Sequence, residues 1–197
     1  ASSSDVDFKE FKQFTSKQLG YSQEILAFEW IPYIPANKLA DFEIHENPAT
    51  GKPLYIKEKS LDGAWQPAGT RSNYFPVKYV YPLKGNEKAL GLNFLEEKNQ
   101  RADAIRARDT NTIVMAGPLK LIQGDIALIA RVPVYIPPEN RFWGLLSVVL
   151  NIEKVYENSG IYELEKEYNV ALQGRHGLGS KGEFFYGNQN IIEQDPL

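Results

Sequence analysis

The chain has 197 residues, 43% hydrophobic and 24% charged, with a formal net charge of −3 and no cysteine. That profile suits a globular chain long enough to bury a core. It lacks the basic, aromatic-interleaved stripe that nucleic acid needs, and it excludes disulfides, thiolate metal sites and a cysteine nucleophile. The longest apolar run, Phe142–Leu150, falls far short of the roughly 20 residues that cross a bilayer, and no signal peptide opens the sequence. Any membrane segments are therefore expected to flank the chain.

From the amino end, Phe8, Phe11, Leu19, Ile25 and Leu26 recur near a helical repeat, with Ser4 and Asp7 in capping-box spacing. The repeat predicts a helix reaching Glu29, interrupted once at Gly20 and ended at Pro32, which has no amide donor. Pro35 predicts the first position of a shorter helix carrying Leu39 and Phe42. From Glu46 to Arg71 the pairs Asn47-Pro48, Thr50-Gly51, Asp62-Gly63 and Ala68-Gly69 predict loops and a hairpin, with one short strand at Leu54–Ile56. Between Tyr74 and Leu83, Phe75, Val77, Tyr79 and Tyr81 alternate onto one face and Lys78 falls on the other, the pattern of a strand. After a turn from Asn86, Ala89–Leu92 predicts another short strand. Asn93, three residues before Glu96, is an N-cap signal for a helix that holds Ala102, Ile105, Arg106 and Arg108.

Beyond Thr110, the runs Ile113–Met115 and Leu119–Ile122, a turn at Gln123-Gly124-Asp125, and Ile126–Tyr135 predict a hairpin with a preceding edge. Pro133 marks an edge or a bulge in it. Phe142–Ile152 predicts a central strand, with Leu146, Val148, Leu150 and Ile152 on one face and Trp143, Leu145, Ser147, Val149 and Asn151 on the other. A second unit starts at Glu153: a helix through Tyr156 and Leu164, a strand at Val170–Gln173, and a strand at Phe184–Tyr186 after a glycine-rich loop. Helices and antiparallel strands without strict alternation give the α+β class.

Catalytic and metal chemistry find little support. Neither His45 nor His176 has a second histidine at ligand spacing, and no Gly-x-Ser-x-Gly elbow occurs. Gly177-Leu178-Gly179-Ser180-Lys181-Gly182 matches the dinucleotide fingerprint literally, but the strand that follows cannot offer the helix terminus a pyrophosphate needs, so a hairpin loop is the better reading. Arg106, Arg108 and Asp109 either reach an anion or form a solvated face in which Asp103 pairs with Arg106. Tyr79, Tyr81, Phe142 and Trp143 either line a cavity or fill a core.

The segments Trp30-Ile31-Pro32, Tyr74-Phe75-Pro76-Val77, Tyr79-Val80-Tyr81-Pro82, Ala89-Leu90-Gly91-Leu92-Asn93, Ala104 to Thr110, Arg131-Val132-Pro133-Val134-Tyr135 and Trp143-Gly144-Leu145 stand in a recognisable order. Over residues 22 to 155, and more loosely in the tail, the chain resembles the CHASE domain, the extracytoplasmic sensor of bacterial histidine kinases and diguanylate cyclases and of plant cytokinin receptors. The resemblance implies a long amino-terminal helix (1–40), a membrane-distal PAS-like ligand-binding unit (41–155) and a shorter, incomplete membrane-proximal PAS-like unit (156–197). It also implies flanking transmembrane helices, a homodimer through the amino-terminal helix, and a periplasmic setting in an inner-membrane receptor of the two-component or cyclic di-GMP type. No enzymatic activity, cofactor, metal or nucleic-acid partner is expected of this domain itself.

By the same matching, family members contact their ligand through an acidic residue where this chain has Asn93, an amide that carries no charge. Met115 falls where a backbone contact is made, Val132 on the strand that floors the pocket, and Phe142 at an aromatic wall. Tyr79 and Ser147 complete the candidate ligand contacts. Asn111 stands where the family usually has glycine, and asparagine also tolerates a left-handed backbone. The rival expectation is a structural or protein-interaction module whose PAS-like core is filled by its own side chains, such as Tyr79, Phe142 and Trp143. A cavity of a few hundred cubic ångströms would favour sensing over that rival.

Overall fold

Asp7 opens the first helix by accepting the Glu10 amide at 3.0 Å, satisfying one of the donors that a helix start leaves bare. The computed structural model describes residues 6–60, 62–95, 98–121 and 124–194, so Ser4, the other half of the expected capping box, lies outside the described residues. Helix α1 (Phe8–Tyr21) stops at Tyr21 and does not continue to Glu29. Ile25–Pro32 is instead strand β1. The run Ile-Leu-Ala-Phe-Glu-Trp-Ile fits a period of two as well as a helical repeat, and strand partners on both sides decide between them. Gly20 is exposed in α1 with open space where a methyl group would go, so Gly20→Ala is expected to stabilise the fold by about 0.5 kcal/mol, read as a raised urea midpoint.

Those partners are β2 (Tyr79–Tyr81) and β5 (Arg141–Asn151), with β3 (Val114–Lys120) and β4 (Ile126–Ile136) completing a five-stranded sheet in the order β2-β1-β5-β4-β3. Every pairing is antiparallel. The architecture is α+β, and β5 is central as its two apolar faces predict. Pro133 pairs with Leu145 on one side only, because the β3 ladder ends at Arg131. It therefore occupies a free edge, where its missing amide costs nothing.

The expected face assignment of β5 holds from Leu145 onward and fails before it. Register slips between Val134, opposite Gly144, and Tyr135, opposite Phe142, so Trp143 is the extra residue of a bulge. Trp143 consequently packs with Leu146 and Val148 and not with Leu145. Ile152 leaves the strand and begins helix α4 (Ile152–Ser159).

The aromatic stretch 74–83 is likewise split. Asn73–Tyr74 pairs with Ile34–Pro35, while Phe75 and Val77 exchange backbone hydrogen bonds with Phe94 and Leu92. Phe75, Val77 and Val80 join one core and Tyr79 the other, so they do not share a face. Ala89–Leu92 makes a short 3-10 turn and isolated bridges rather than a strand. Leu54–Ile56 is not a strand either; pairing passes one step on, to Lys57–Lys59 with Trp65–Pro67, which is the expected hairpin around Asp62-Gly63. Pro35 precedes a 3-10 turn that leads into α2 (Leu39–Ile44).

The sheet thus has two covered faces. On the inner face, α3 (Lys98–Thr110) and the 75–95 segment bury Ala27, Ile31, Ile129, Leu145 and Val149; on the outer face, α1 packs Phe11 against Phe28 and Tyr79. Asn111 ends α3 with φ 51°, the left-handed turn its residue type allows. At the carboxyl end, Asn151 caps α4 by accepting the Lys154 amide, and Gly160 at φ 78° turns the chain into α5 (Ile161–Leu164). Strands β6 (Ala171–Gln173) and β7 (Phe184–Gly187) pair as a hairpin, and α6 (Asn190–Gln194) follows. The Gly177–Gly182 fingerprint lies in the β6–β7 loop, in two 3-10 turns with no helix after them.

Candidate ligand-binding site

One row of residues across the inner face breaks its apolar character. Glu29 on β1 lies opposite Ser147 on β5, and Ser147 lies opposite Arg131 on β4. Strand alternation aims all three inward, and Arg131 and Ser147 are fully buried while Glu29 is 8% exposed. Arg131 Nη1 donates to Ser147 Oγ at 2.6 Å, its Nη2 donates to Gln100 Oε1 from the first turns of α3, and its guanidinium lies 4.2 Å over the Phe94 ring. Glu29 Oε2 is 3.7 Å from Arg131 Nη1, close enough for charge attraction and too far for a hydrogen bond. It is buried with no hydrogen-bond partner. Burial pushes the Glu29 carboxyl up, opposed by Arg131, and burial brings the Arg131 guanidinium down to about 10, opposed by Glu29 and Asp103.

Above this row lies a cavity of about 280 Å³. Glu29, Gln100, Phe94, Leu92, Ile129 and Val149 form its depth; Lys84 and Gly85 after β2 and Asp125 in the β3–β4 turn are exposed at its rim. A short polar patch under apolar walls is the usual build of a small-molecule site.

The residues singled out from the sequence do not converge there. Asn93 is fully buried and braces the backbone, its Oδ1 accepting from Phe75 N at 3.0 Å and Leu95 N at 3.4 Å, while Nδ2 has no hydrogen-bond partner. Its side chain therefore spans two loop segments and does not cap α3; Glu96, the other half of that signal, lies outside the described residues. Ser147 belongs to the polar row. Val132 pairs with Leu146 one step from Arg131, which places it on the outer face, and Tyr79 is on that face as well, tilted against Phe8 and Phe11. Phe142 packs on Tyr33, Phe75 and Tyr135 near the carboxyl end of α3. Met115 sits on the sheet's edge strand, and its carbonyl oxygen lies against Gly177 of the β6–β7 loop.

Glu29, Arg131 and Gln100 escape sequence reasoning. Two of them carried a signal: Arg131 follows Ala127 and Ile129 at strand spacing, and Glu29 stands at the same spacing between Ala27 and Ile31, so each is a charge in phase with core residues. Reading Ile25–Glu29 as a helix concealed the second.

The expected solvated face of α3 is also corrected, because Asp103 is 3% exposed. It does pair with Arg106 at 3.1 Å, and it also meets His176 Nδ1 at 2.5 Å, while Arg106 donates to the His176 carbonyl. His176 Nδ1 is 3.3 Å from the Gly117 amide as well, but one nitrogen cannot both donate to Asp103 and accept from Gly117; the shorter contact assigns the proton to Nδ1. The cluster ties the β6–β7 loop to α3 and to the outer edge of β3. Asp103→Ala is expected to cost about 2 kcal/mol and to speed amide exchange in β6 and β7 more than in β1 and β5. Uniform exchange throughout the chain would contradict this anchoring role.

Among the described residues no group of three or more histidine, aspartate or glutamate side chains could hold a metal ion, and no helix is long and apolar enough to cross a membrane. Comparison with curated proteins gave no match. The family model of the CHASE domain matches residues 4–186, nearly the whole chain, including the strands that carry the polar row, the α3 helix and the β6–β7 hairpin. The chain therefore belongs to the CHASE domain family, the extracytoplasmic sensor domains of signalling receptors.

Proposed function

We propose that this domain is the periplasmic sensor of an inner-membrane bacterial receptor and that it binds a small molecule in the cavity over Glu29. The observation that carries this reading is the cavity of about 280 Å³ with a buried, unpartnered carboxylate oxygen among its lining groups. An unsatisfied buried polar atom costs free energy, and a ligand that satisfies it recovers that cost on binding. We read the sheet and α3 as a PAS-like unit over residues 41–155, completed by Glu29 from the 1–40 segment, with 156–197 as the membrane-proximal unit. The receptor's output is a histidine kinase or a diguanylate cyclase or phosphodiesterase, and the domain does no chemistry of its own. It works as a homodimer through α1, in which a ligand that prefers one arrangement shifts the population toward it by its differential affinity.

The rival reading, an interaction module with a self-filled core, draws on the aromatic side chains. Trp143 packs edge-on against Trp30 at 5.1 Å, and Tyr79 and Phe142 are similarly engaged by other rings. Tyr79 and Trp143 also border a separate surface cleft of about 630 Å³ beside α2, while the cavity over Glu29 is lined by different residues. Mass spectrometry of small molecules released from the purified protein, run beside native mass spectrometry, tests the choice. One compound per chain is expected; an empty protein whose melting temperature no compound in a metabolite library raises would favour the rival.

A further inference from the structure

Glu29 and Gln100 specify the hydrogen-bonding pattern of the cavity. Glu29 is 8% exposed, lines the cavity and has an oxygen, Oε2, without a donor. Gln100 is equally buried and also lines the cavity. Because a guanidinium only donates, the atom of Gln100 that meets Arg131 must be Oε1, which fixes the orientation of the amide. Its Nε2 has no partner among the described residues. The cavity therefore offers an acceptor and a donor, framed by Leu92, Phe94, Ile129 and Val149.

Charge narrows the choice further. Arg131 is not among the lining residues; it sits behind Glu29, Ser147 and Gln100. Lys84 stands at the exposed rim, so at the depth of the cavity an anion would meet the Glu29 carboxylate with Arg131 only behind it, and a ligand cation would add a second positive charge beside a guanidinium that already attends Glu29. Both are unfavourable beside buried groups, where charges are poorly screened. Resting on the sensor reading above, we propose that the ligand is an uncharged planar molecule with an N–H donor next to a hydrogen-bond acceptor, as on a carboxamide or lactam edge, giving its N–H to Glu29 and accepting from Gln100 Nε2. The apolar walls cover its ring.

Three probes of one shape separate the charge states: benzamide, benzamidinium and benzoate, each titrated into the full chain with labelled leucine, isoleucine and valine methyl groups. Benzamide is expected to shift the methyl signals of Leu92, Ile129 and Val149 and to bind at least tenfold more tightly than benzoate or benzamidinium. Glu29→Gln is expected to weaken benzamide about tenfold or more, the usual effect of losing a charged acceptor. If that variant does not fold, the ranking on the unaltered chain decides. Tighter binding of benzoate or benzamidinium at the same methyls would overturn the ligand class and leave the sensor reading standing. Silence of those methyls to all three probes at millimolar concentration would overturn both.

Discussion

Arg131→Met is expected to destabilise the domain by about 3–5 kcal/mol, and adding Glu29→Leu to it is expected to restore at least half of that loss. The single substitution removes the cation that sits 3.7 Å from a carboxylate that is 8% exposed, and it leaves Ser147 Oγ and Gln100 Oε1 without the guanidinium that donates to both. A leucine at position 29 then removes the stranded carboxylate, although the Ser147 and Gln100 acceptors stay unmatched. Urea denaturation of the parent, both single variants and the double variant gives the coupling directly. A double variant no more stable than Arg131→Met would mean that the two charges do not interact.

The pH dependence of the single variant has a definite sign. Burial raises the Glu29 carboxyl above its ordinary value, and Arg131 is what opposes the rise. A carboxyl whose folded value is raised favours the folded state below the unfolded value, about 4.3 for glutamate, and loses that contribution as pH climbs through the folded value. Without Arg131 the opposing attraction is gone. The deficit of Arg131→Met is therefore smallest near pH 4 and grows toward neutrality. On the proposed sensor reading the row serves ligand recognition rather than stability, so the double variant is expected to fold yet fail to bind benzamide.

Much of the order of elements was legible in the chain. The hairpin β3–β4, though the two runs expected separately, through Met115 and from Leu119, merge into the single strand β3, the central strand β5 with its buried Leu145 and Val149, α3, and the β6–β7 pair follow from local periodicity and turn chemistry. What failed depended on distant partners. Ile25–Pro32 is a strand because β2 and β5 flank it, which no window of eight residues reveals. The split of Phe75 from Tyr79 and the swing of Trp143 both come from irregular backbone, a pair of loop bridges in one case and a bulge in the other. The candidate site suffered most. Family matching gave positions such as Val132 and Tyr79 that the alternation of strands sends to the outer face, whereas the polar row exists only once β1, from the start of the sequence, is set in register beside the consecutive strands β4 and β5.

That register rests on Gly144, and Gly144→Ala is expected to cost about 3 kcal/mol, at the upper end of overpacking effects. The backbone of Gly144 needs no unusual torsion; what it needs is space. A methyl group there would lie 2.4 Å from the Ile31 carbonyl oxygen and 2.9 Å from Pro32 Cα, both backbone atoms of the neighbouring strand. A side chain could rotate away, but β1 and β5 would have to part, and their pairing at Pro32 and Gly144 continues directly into the Glu29 and Ser147 pair. The bulge at Trp143 adjoins the same point, so the strain has no flexible loop to relax into on that side. Gly20→Ala supplies the control, since it makes the same chemical change in open space and is expected to move the urea midpoint the other way. If Gly144→Ala keeps its stability, the two strands tolerate a wider separation than their contact implies. The Glu29, Ser147 and Arg131 row would then owe its alignment to α3 and Gln100 pressing on it from above.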